Sequence, residues 1–347
     1  MTVHPESAKG LRSSSMALKV VGYAWKATVV LGVAAAGLWT ATHGVAGVMW
    51  GDVVHVVGGV ALWRLGLLAV VWLGGLGIYS LVLSAALPGL GVRRGLLLNL
   101  TGSAVANVIP LGGAVATGLN WRMTRLWGHS NDAFVTFCML TNILDVLTKL
   151  LLPLVAVGVL VTISAPVPTS VWGVVGLCAF ILTALLLVHL MATHGQFVQR
   201  SGGRGRRDVV LRRLSDAVAR VGSLLARRWP RLLPASAGYI AAQVLLLGLS
   251  LHAVGLHAAF STVLMAAAIE RLGTLVPLTP GGTGVAEVGT IAWLVAMGLD
   301  PVASVAGVLL YRAFLVLMEI PVGGALLGGW VWSRRTGAAR GVIPVSA

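Results

Sequence analysis

The sequence predicts an all-α polytopic membrane protein with about six spanning helices and two re-entrant hairpins built from broken helices. Of the 347 residues, 57% are hydrophobic and 10% are charged, and the mean hydropathy is +0.93, which excludes an ordinary soluble domain. The apolar residues form unbroken runs of about 20, the length of a membrane-spanning helix, whereas a membrane β-barrel would show short alternating segments.

Residues 1–60 are predicted to form a first helix, at about 20–42, and an external loop. Basic residues precede and enter the apolar run, and it lacks a small-residue cleavage pattern, so we interpret it as an uncleaved helix rather than a signal peptide. The loop that follows carries a few polar residues: His43, Asp52 and His55.

The first membrane repeat is predicted over residues 61–193 and contains a re-entrant hairpin at 95–126. Two apolar helices of about 15 residues, too short to span, meet at Pro110-Leu111-Gly112-Gly113, where proline and glycine interrupt helical hydrogen bonding. Arginines at both ends of the hairpin predict that both ends are cytoplasmic. The other predicted helices lie at about 61–87, 132–164 and 171–193, and Pro153 interrupts the second of these.

Residues 194–234 are predicted to form a cytoplasmic, arginine-rich linker with an amphipathic helix. The chain has a formal net charge of +15, and ten of its 25 basic residues lie here, from Arg200 to Arg231. Such a segment favours the anionic surface of the inner leaflet as its partner. A plain solvated linker is an equal alternative. Nucleic acid is not an expected partner, because no recognised nucleic-acid-binding fold surrounds the arginines.

The second membrane repeat is predicted over residues 235–333, with a re-entrant hairpin at 259–299 and a cytoplasmic tail at 334–347. Its hairpin is broken at Pro277-Leu278-Thr279-Pro280-Gly281-Gly282, and Pro321 interrupts the last apolar run. Matched positions of the two repeats have nearly equal separations: 167 residues from Pro110 to Pro277, 169 from Gly113 to Gly282 and 168 from Pro153 to Pro321.

The two hairpins are predicted to enter the membrane from opposite sides, which makes the repeats inverted. Inverted repeats with interrupted helices are typical of secondary transporters, in which the broken ends meet near the midplane. Irregular backbone at that depth requires burial in protein or a polar cavity. We therefore expect a cavity between the repeats of a multi-pass protein of the cell (inner) membrane, with both termini in the cytoplasm.

Polar residues inside the predicted helices are candidate site residues, because such groups are costly within a membrane. Asn99, Ser103 and Asn107 form one polar stripe, for which hydrogen bonding between packed helices is the alternative interpretation. Asp145 and Lys149 lie one helical turn apart and are predicted to form a structural ion pair.

Further candidate charges lie in the second repeat, where Arg312 and Glu319 are seven residues apart on one face of the last predicted helix. Glu270 and Arg271 are adjacent, so they point to different faces and each requires a partner elsewhere. Glu287 follows the second break, where it either compensates a helix dipole, or contacts a cationic head group or exchanges a proton as the cavity alternates. For Arg312, a lipid phosphate, Glu270 and Glu287 remain equally open as partners.

Residues 275–287, Leu-Val-Pro-Leu-Thr-Pro-Gly-Gly-Thr-Gly-Val-Ala-Glu, followed by Gly298 and Arg312, resemble the signature of a known family. It is the lysylphosphatidylglycerol synthase transmembrane region family, the flippase-like membrane domain of bacterial multiple-peptide-resistance proteins. The similarity is strong over 267–324 and looser back to 87. Together with the intramembrane charges, it gives the candidate substrate-binding residues: Asn107, Pro110, Gly112, Gly113, Glu270, Arg271, Pro280, Gly281, Gly282, Glu287 and Arg312.

The resemblance implies movement of an anionic or aminoacylated lipid between leaflets, through a cavity lined by the two hairpins. The sequence departs from the family pattern at Ala114, Val115 and Ala116, where an acidic residue and an arginine are common, and at Thr141-Asn142, where many members have a Glu-Arg pair. Fused synthases of the family also carry a soluble aminoacyl-transfer domain. No soluble segment here is long enough to encode one.

The predicted function is therefore a flippase-like transporter for an anionic, aminoacylated or polyprenyl-phosphate-linked lipid. The main alternative is a scaffold that docks a lipid or glycan synthase through the arginine-rich segment. A membrane-embedded lipid-modifying enzyme is the weaker alternative, since no catalytic constellation can be named. No cofactor or metal is expected, because the cysteines and histidines are scattered: Cys138, Cys178, His43, His55, His252 and His257.

Overall fold

In a computed structural model the chain folds into a bundle of α-helices. The structure describes residue 39 and residues 47–108, 112–163, 168–193, 206–275 and 282–339, and contains no strand within these ranges. A five-residue π-helix at Ala313–Leu317 separates the last two α-helices. The helices are α1 (Trp50–Gly58), α2 (Leu62–Ala86), α3 (Val92–Val108), α4 (Gly112–Leu126), α5 (Asn131–Thr162), α6 (Thr169–Thr193), α7 (Arg206–Ala253), α8 (Phe260–Gly273), α9 (Val285–Ala296), α10 (Pro301–Arg312) and α11 (Glu319–Ala339).

Four helical segments of the described chain are long and apolar enough to cross a bilayer. They lie at Leu62–Ala86, Asn131–Thr162, Ala219–Ala253 and Pro301–Arg335, and α6 and α9 add shorter apolar stretches. The predicted all-helical membrane architecture is therefore confirmed. The number of spans and the repeat remain predictions.

Small residues let the helices of the bundle approach closely. A Cβ atom added to Gly75 of α2 would lie 3.3 Å from the Ala242 Cβ of α7, and one added to Gly307 of α10 would lie 2.6 Å from Leu251 Cδ2. Gly323 of α11 presses directly on the Leu100 carbonyl of α3, leaving no room for a side chain. Close approach at small residues is the usual source of helix association where no water drives it.

Two pairs of short helices form hairpins, α3 with α4 and α8 with α9, and their outer bounds match the predicted 95–126 and 259–299 to within three residues. Glycine is required where each pair meets. A Cβ on Gly112 would lie 2.5 Å from the Ala106 carbonyl oxygen, and one on Gly282, whose φ is +67°, would lie 2.6 Å from Thr274 Cα. The prolines and the glycine of the breaks lie outside the described residues: Pro110, Pro277, Pro280 and Gly281.

Arginines gather at one end of the bundle. A core cluster that includes Leu87, Met123, Phe134 and Leu232 joins the end of α2, the start of α3, the end of α4, the start of α5 and the middle of α7. Trp330 of α11 packs against the same cluster. The arginines of these segments are Arg93, Arg94, Arg122, Arg125, Arg220, Arg227, Arg228, Arg231, Arg334 and Arg335.

The opposite end of the bundle is built around α1 and a second core cluster. This cluster includes Val53 of α1, Leu160 of α5, Leu256 just after α7 and Val305 of α10. The α3–α4 hairpin is therefore attached to the arginine-rich end, whereas the α8–α9 hairpin follows the end of α7 and leads into α10 at the opposite end.

Several local predictions were wrong. The predicted external loop contains a helix, α1, and the predicted amphipathic linker is not separated from the helix at 235. Instead α7 is one continuous 48-residue helix that runs through Pro230 and Pro234. A proline lacks a backbone N–H, so the helix loses one hydrogen bond at each of these positions. The helix can still continue through the proline when neighbouring helices pack against the segments on both sides.

The other two interior prolines behave differently from each other. Helix α5 also continues through its proline, Pro153. Near Pro321 the helix is irregular, but the π-helix precedes the proline rather than beginning at it. The predicted helix at 20–42, except Trp39, and Arg200, Arg204 and residues 340–347 lie outside the described residues.

Candidate functional site

Arg312 bridges two buried carboxylates that come from the second hairpin. Its Nη1 donates to Glu270 Oε1 of α8 at 2.8 Å, and its Nε donates to Glu287 Oε1 of α9 at 2.7 Å. The Tyr311 hydroxyl lies 3.5 Å from Glu270 Oε2. Glu270 and Glu287 are 1% and 2% exposed and Arg312 is 7% exposed, so the group is closed to solvent. We call Glu270, Glu287, Tyr311 and Arg312 the buried cluster.

Glu287 also caps the helix on which it lies. Its Oε2 accepts a hydrogen bond of 2.7 Å from the backbone N–H of Gly284, the residue just before α9. Gly284 has φ +96°, a conformation that favours glycine, and the acid three residues later makes the one half of a capping box that a glycine N-cap allows. The Glu287 carboxylate thus compensates the helix dipole and binds Arg312 at the same time.

The buried cluster ties α8 and α9 to α10. Removing one partner of a buried ion pair is strongly destabilising, because the remaining charge loses both its partner and its water. Both glutamate partners left open for Arg312 by the sequence are used, and they are used together. This arrangement is suited to holding the second hairpin in place.

Arg271 points away from this cluster toward α5. Its Nη2 lies 3.5 Å from Asp145 Oδ1, while Lys149 Nζ lies 2.7 Å from Asp145 Oδ2. The guanidinium carbon is 5.8 Å from the centroid of the Tyr239 ring. The Nε of Arg271 is buried and has no hydrogen-bond partner. We call Asp145, Lys149 and Arg271 the open charged group, because the Asp145 side chain is 39% exposed.

A polar cavity of about 590 Å³ adjoins the open charged group and lies among α2, α3, α4 and α5. Its wall includes an amide with unused capacity, since Asn120 Oδ1 is buried and has no hydrogen-bond partner. Such groups are usually satisfied by water or a ligand. The polar residues of the wall are Tyr79, Asn99, Ser103, Thr117, Asn120, Thr141, Asn142, Asp145 and Lys149.

A second, much smaller cavity of about 20 Å³ adjoins the polar cavity and shares Tyr79, Thr141 and Asp145 with its wall. It is lined by Tyr79, Tyr239 and Arg271 among others, and the two tyrosine rings have centroids 4.6 Å apart. We call this space the charged neck. Glu270, Glu287 and Arg312 line neither the polar cavity nor the charged neck.

The candidate residues of the first hairpin divide in the same way. Asn99, Ser103 and Gly113 line the polar cavity, whereas Asn107 and Gly112 are not part of its wall. A Cβ on Gly113 would meet no heavy atom within 4 Å, so Gly113 faces open space while Gly112 serves the helix contact.

Sequence reasoning missed the tyrosines. The chain has four of them: Tyr311 belongs to the buried cluster, and Tyr79 and Tyr239 line the charged neck together with Asp145 and Arg271. A tyrosine near the middle of an apolar run is the signal that was available, since its hydroxyl requires a partner there.

The described residues hold no group of three or more His, Cys, Asp and Glu side chains that could bind a metal ion. Cys138 lies in the wall of the polar cavity. Both cysteines of the chain, Cys138 and Cys178, are free thiols.

The apolar helices and the charged interior define a polytopic membrane protein with an internal polar cavity. The sequence model of the family described as "Lysylphosphatidylglycerol synthase TM region" matches residues 25–323, which is most of the chain. The chain therefore belongs to this family, as the motif around residues 275–287 predicted. No curated protein matches the chain.

Proposed function

We propose that this protein moves a lipid with an anionic, phosphate-containing head group between the two membrane leaflets. The observation that carries the proposal is the polar cavity, with Asp145 and Lys149 in its wall, inside a bundle of helices apolar enough to span. Ionisable residues within a membrane mark substrate pathways by default, because their burial is otherwise disfavoured. Membership of a lipid-related membrane family supports the same function.

The open charged group supplies the chemistry for an anionic head group. Lys149 and Arg271 are both donors, and they share one acceptor side chain, Asp145. Two cations on one carboxylate leave a net positive charge beside the cavity. A phosphate oxygen would accept hydrogen bonds from Lys149 or Arg271 in place of Asp145. When the lipid leaves, Asp145 would pair with these cations again, so that neither cation is left without a partner.

The buried cluster has a different role in this proposal. Glu270, Glu287 and Arg312, which the sequence made candidates for substrate contact, hold the α8–α9 hairpin against α10. Asp145 and Lys149, for which the sequence favoured a structural role, face the substrate. The open charged group and the buried cluster meet at the Glu270–Arg271 peptide bond, so movement of α8 would affect both.

The arrangement of the two hairpins supports an inverted repeat. The α3–α4 hairpin is attached to the arginine-rich end of the bundle and the α8–α9 hairpin to the opposite end. By the positive-inside rule, the arginine-rich end faces the cytoplasm and the anionic lipids of the inner leaflet. Helix α11 then ends on the cytoplasmic side, and the proposed location is the cell membrane.

A leaflet-exchange assay tests this function. The full chain is reconstituted in phosphatidylcholine vesicles with a trace of fluorescent phosphatidylglycerol, and dithionite bleaches the label in the outer leaflet. We expect the protected inner-leaflet fraction to become accessible to dithionite faster than in protein-free vesicles. With Lys149→Met we expect it to become accessible more slowly than with the unaltered protein. Rates equal to those of protein-free vesicles, for this lipid and for a fluorescent polyprenyl phosphate, would show that the proposal is wrong.

A further inference from the structure

An apolar groove of about 630 Å³ lies on the surface of the bundle between α5, α7 and α8. Its walls are aliphatic and aromatic, and several of its large side chains are exposed in the structure, namely Leu151, Val155, Leu245 and Phe260. Glycine and alanine on α7 create the space: Ala237, Ala241 and Gly248. Its volume falls within the range of roughly 300–1,000 Å³ in which proteins hold small molecules.

The groove adjoins the charged neck. Thr148 and Ile240 line both the groove and the neck, and Tyr79, Thr141 and Asp145 line both the neck and the polar cavity. Three spaces therefore adjoin one another through shared wall residues, in the order polar cavity, small charged space and apolar groove. Asp145 and Tyr239 lie near the middle of their spanning segments, so the charged neck lies deep in the bundle.

We propose that the apolar groove binds one hydrocarbon chain of a lipid whose phosphate is held by Arg271 and Lys149. This inference rests on the proposed function and names where the two parts of the substrate lie. An amphiphile has a charged head joined directly to a long apolar chain, and the three spaces occur in that order. A small ion, which lacks a hydrocarbon chain, would leave the apolar groove unoccupied.

Arg271 is the residue that couples the two spaces. It lines the neck, its ion pair with Asp145 is long at 3.5 Å, and its Nε has no hydrogen-bond partner among the described residues. A phosphate that approaches Arg271 from the polar cavity would complete the hydrogen bonds of the guanidinium, which binds such oxygens in a fixed, planar geometry. The attached chain would leave past Thr148 and Ile240 into the groove.

Photo-crosslinking tests the groove directly. The full chain in phosphatidylcholine nanodiscs is labelled with phosphatidylglycerol that carries a diazirine in one acyl chain, and separately with a diacylglycerol that carries the same chain. We expect the phosphatidylglycerol probe to label Leu151, Leu245 and Phe260, and excess phosphatidylglycerol to compete. Arg271→Gln should reduce that labelling about tenfold, the effect of losing one charge-assisted contact.

Filling the groove provides a second arm. A Cβ on Gly248 would lie 3.5 Å from Val263 Cγ1, so the backbone accepts a side chain but a large one must occupy the groove. Gly248→Phe should abolish specific labelling, and Ala241→Leu, at an exposed position, should reduce it if the phenylalanine variant does not fold. Gly158→Phe is the matched control, because a Cβ there meets no heavy atom within 4 Å and Gly158 does not line the groove.

Equal labelling by both probes, without competition and without an effect of Arg271→Gln, would show that ordinary solvating lipid touches the groove and would overturn the inference. Leaflet exchange measured on the same samples separates this failure from failure of the proposed function. Leaflet exchange together with unspecific labelling would refute only the proposed role of the groove. Specific labelling without leaflet exchange would refute the transport function and leave a lipid-binding site.

Discussion

Glu270 and Arg271 are neighbours on α8, yet they belong to two ion-pair groups with opposite access to the interior. Glu270 meets Arg312 in a cluster that is almost completely buried, and Glu287 of that cluster also accepts a backbone hydrogen bond. Arg271 meets Asp145 at 3.5 Å, beside a cavity. The buried cluster has two carboxylates for one cation and the open charged group has two cations for one carboxylate, so net charge, access and unused hydrogen-bonding capacity all distinguish the two groups.

This difference bears on how intramembrane charges are interpreted. A buried ion pair whose members satisfy one another is weak support for a ligand site, because breaking it mainly leaves an unpaired charge. A pair that lines a cavity and keeps donors without partners is stronger support. By this criterion the open charged group, rather than the buried cluster, is where a substrate would bind.

The largest expected effect is on stability. Arg312→Met leaves Glu270 and Glu287 buried without a cation, and we expect it to lower the free energy of unfolding by about 3–5 kcal/mol. Thermal unfolding of the purified protein in detergent measures the change. Arg335→Met, at an exposed position near the end of α11, is the control, and its effect should stay within about 0.5 kcal/mol. Similar stability of the two variants would contradict a structural role for the buried cluster.

The second prediction concerns transport. Lys149→Met should slow leaflet exchange by about tenfold, because a charged donor beside the polar cavity is lost, while Asp145 keeps Arg271 as a partner and the fold survives. Arg122→Met, at an exposed position of α4, is the control and should exchange lipid at the unaltered rate. If Lys149→Met instead unfolds the protein and Arg312→Met blocks exchange in a stable protein, the two roles are reversed.

The third prediction compares two adjacent glycines of the first hairpin. Gly112→Ala should destabilise the fold by about 1–3 kcal/mol, since its Cβ would lie 2.5 Å from the Ala106 carbonyl oxygen. Gly113→Ala has open space around its Cβ and serves as the control for stability. Thermal unfolding midpoints of the two variants measure this difference in stability. Equal midpoints would show that the α3–α4 contact leaves room for a methyl group at position 112.

The smallest expected effect is a pH dependence at the arginine-rich end. Burial, and then the nearby Arg94, lower the pKa of His129 from its usual value of 6.5. The unfolded chain therefore takes up this proton at higher pH than the folded chain. Folding stability should be complete above pH 6.5 and should decrease as the pH falls below it.

Unfolding midpoints between about pH 8 and about pH 5 measure this dependence, and they should be compared between the unaltered chain and His129→Gln. The substitution should remove a small part of the acid-induced loss. Identical pH profiles would mean that His129 is not perturbed.

Hydrophobic run length and the glycine–proline breaks were sufficient to predict an all-helical membrane architecture and the bounds of several helices. The bounds of α2 and the outer bounds of both hairpins follow from these signals alone. Continuity of α7 through Pro230 and Pro234 could not be predicted, because a local proline rule does not include the contacts that hold a helix together on both sides. The helix α1 was missed because its short run carries Asp52 and His55.

The candidate site was predicted as a set of residues but not as an arrangement. Glu270, Glu287 and Arg312 were recognisable as intramembrane charges, and their mutual pairing depends on how α8, α9 and α10 pack, which no spacing within one helix encodes. The cavity beside Asp145 and Lys149 depends on side chains from four helices. Only Asp145 and Lys149, one turn apart on α5, could be paired from sequence.

The most direct test of this account is a cryo-electron microscopy map of the full chain in nanodiscs that contain phosphatidylglycerol. The account predicts head-group density in the polar cavity or the charged neck, with a phosphate within hydrogen-bonding distance of Lys149 or Arg271, and an unaltered Glu270–Arg312–Glu287 bridge. A phosphate bound instead to Arg312, with that bridge opened, would contradict it.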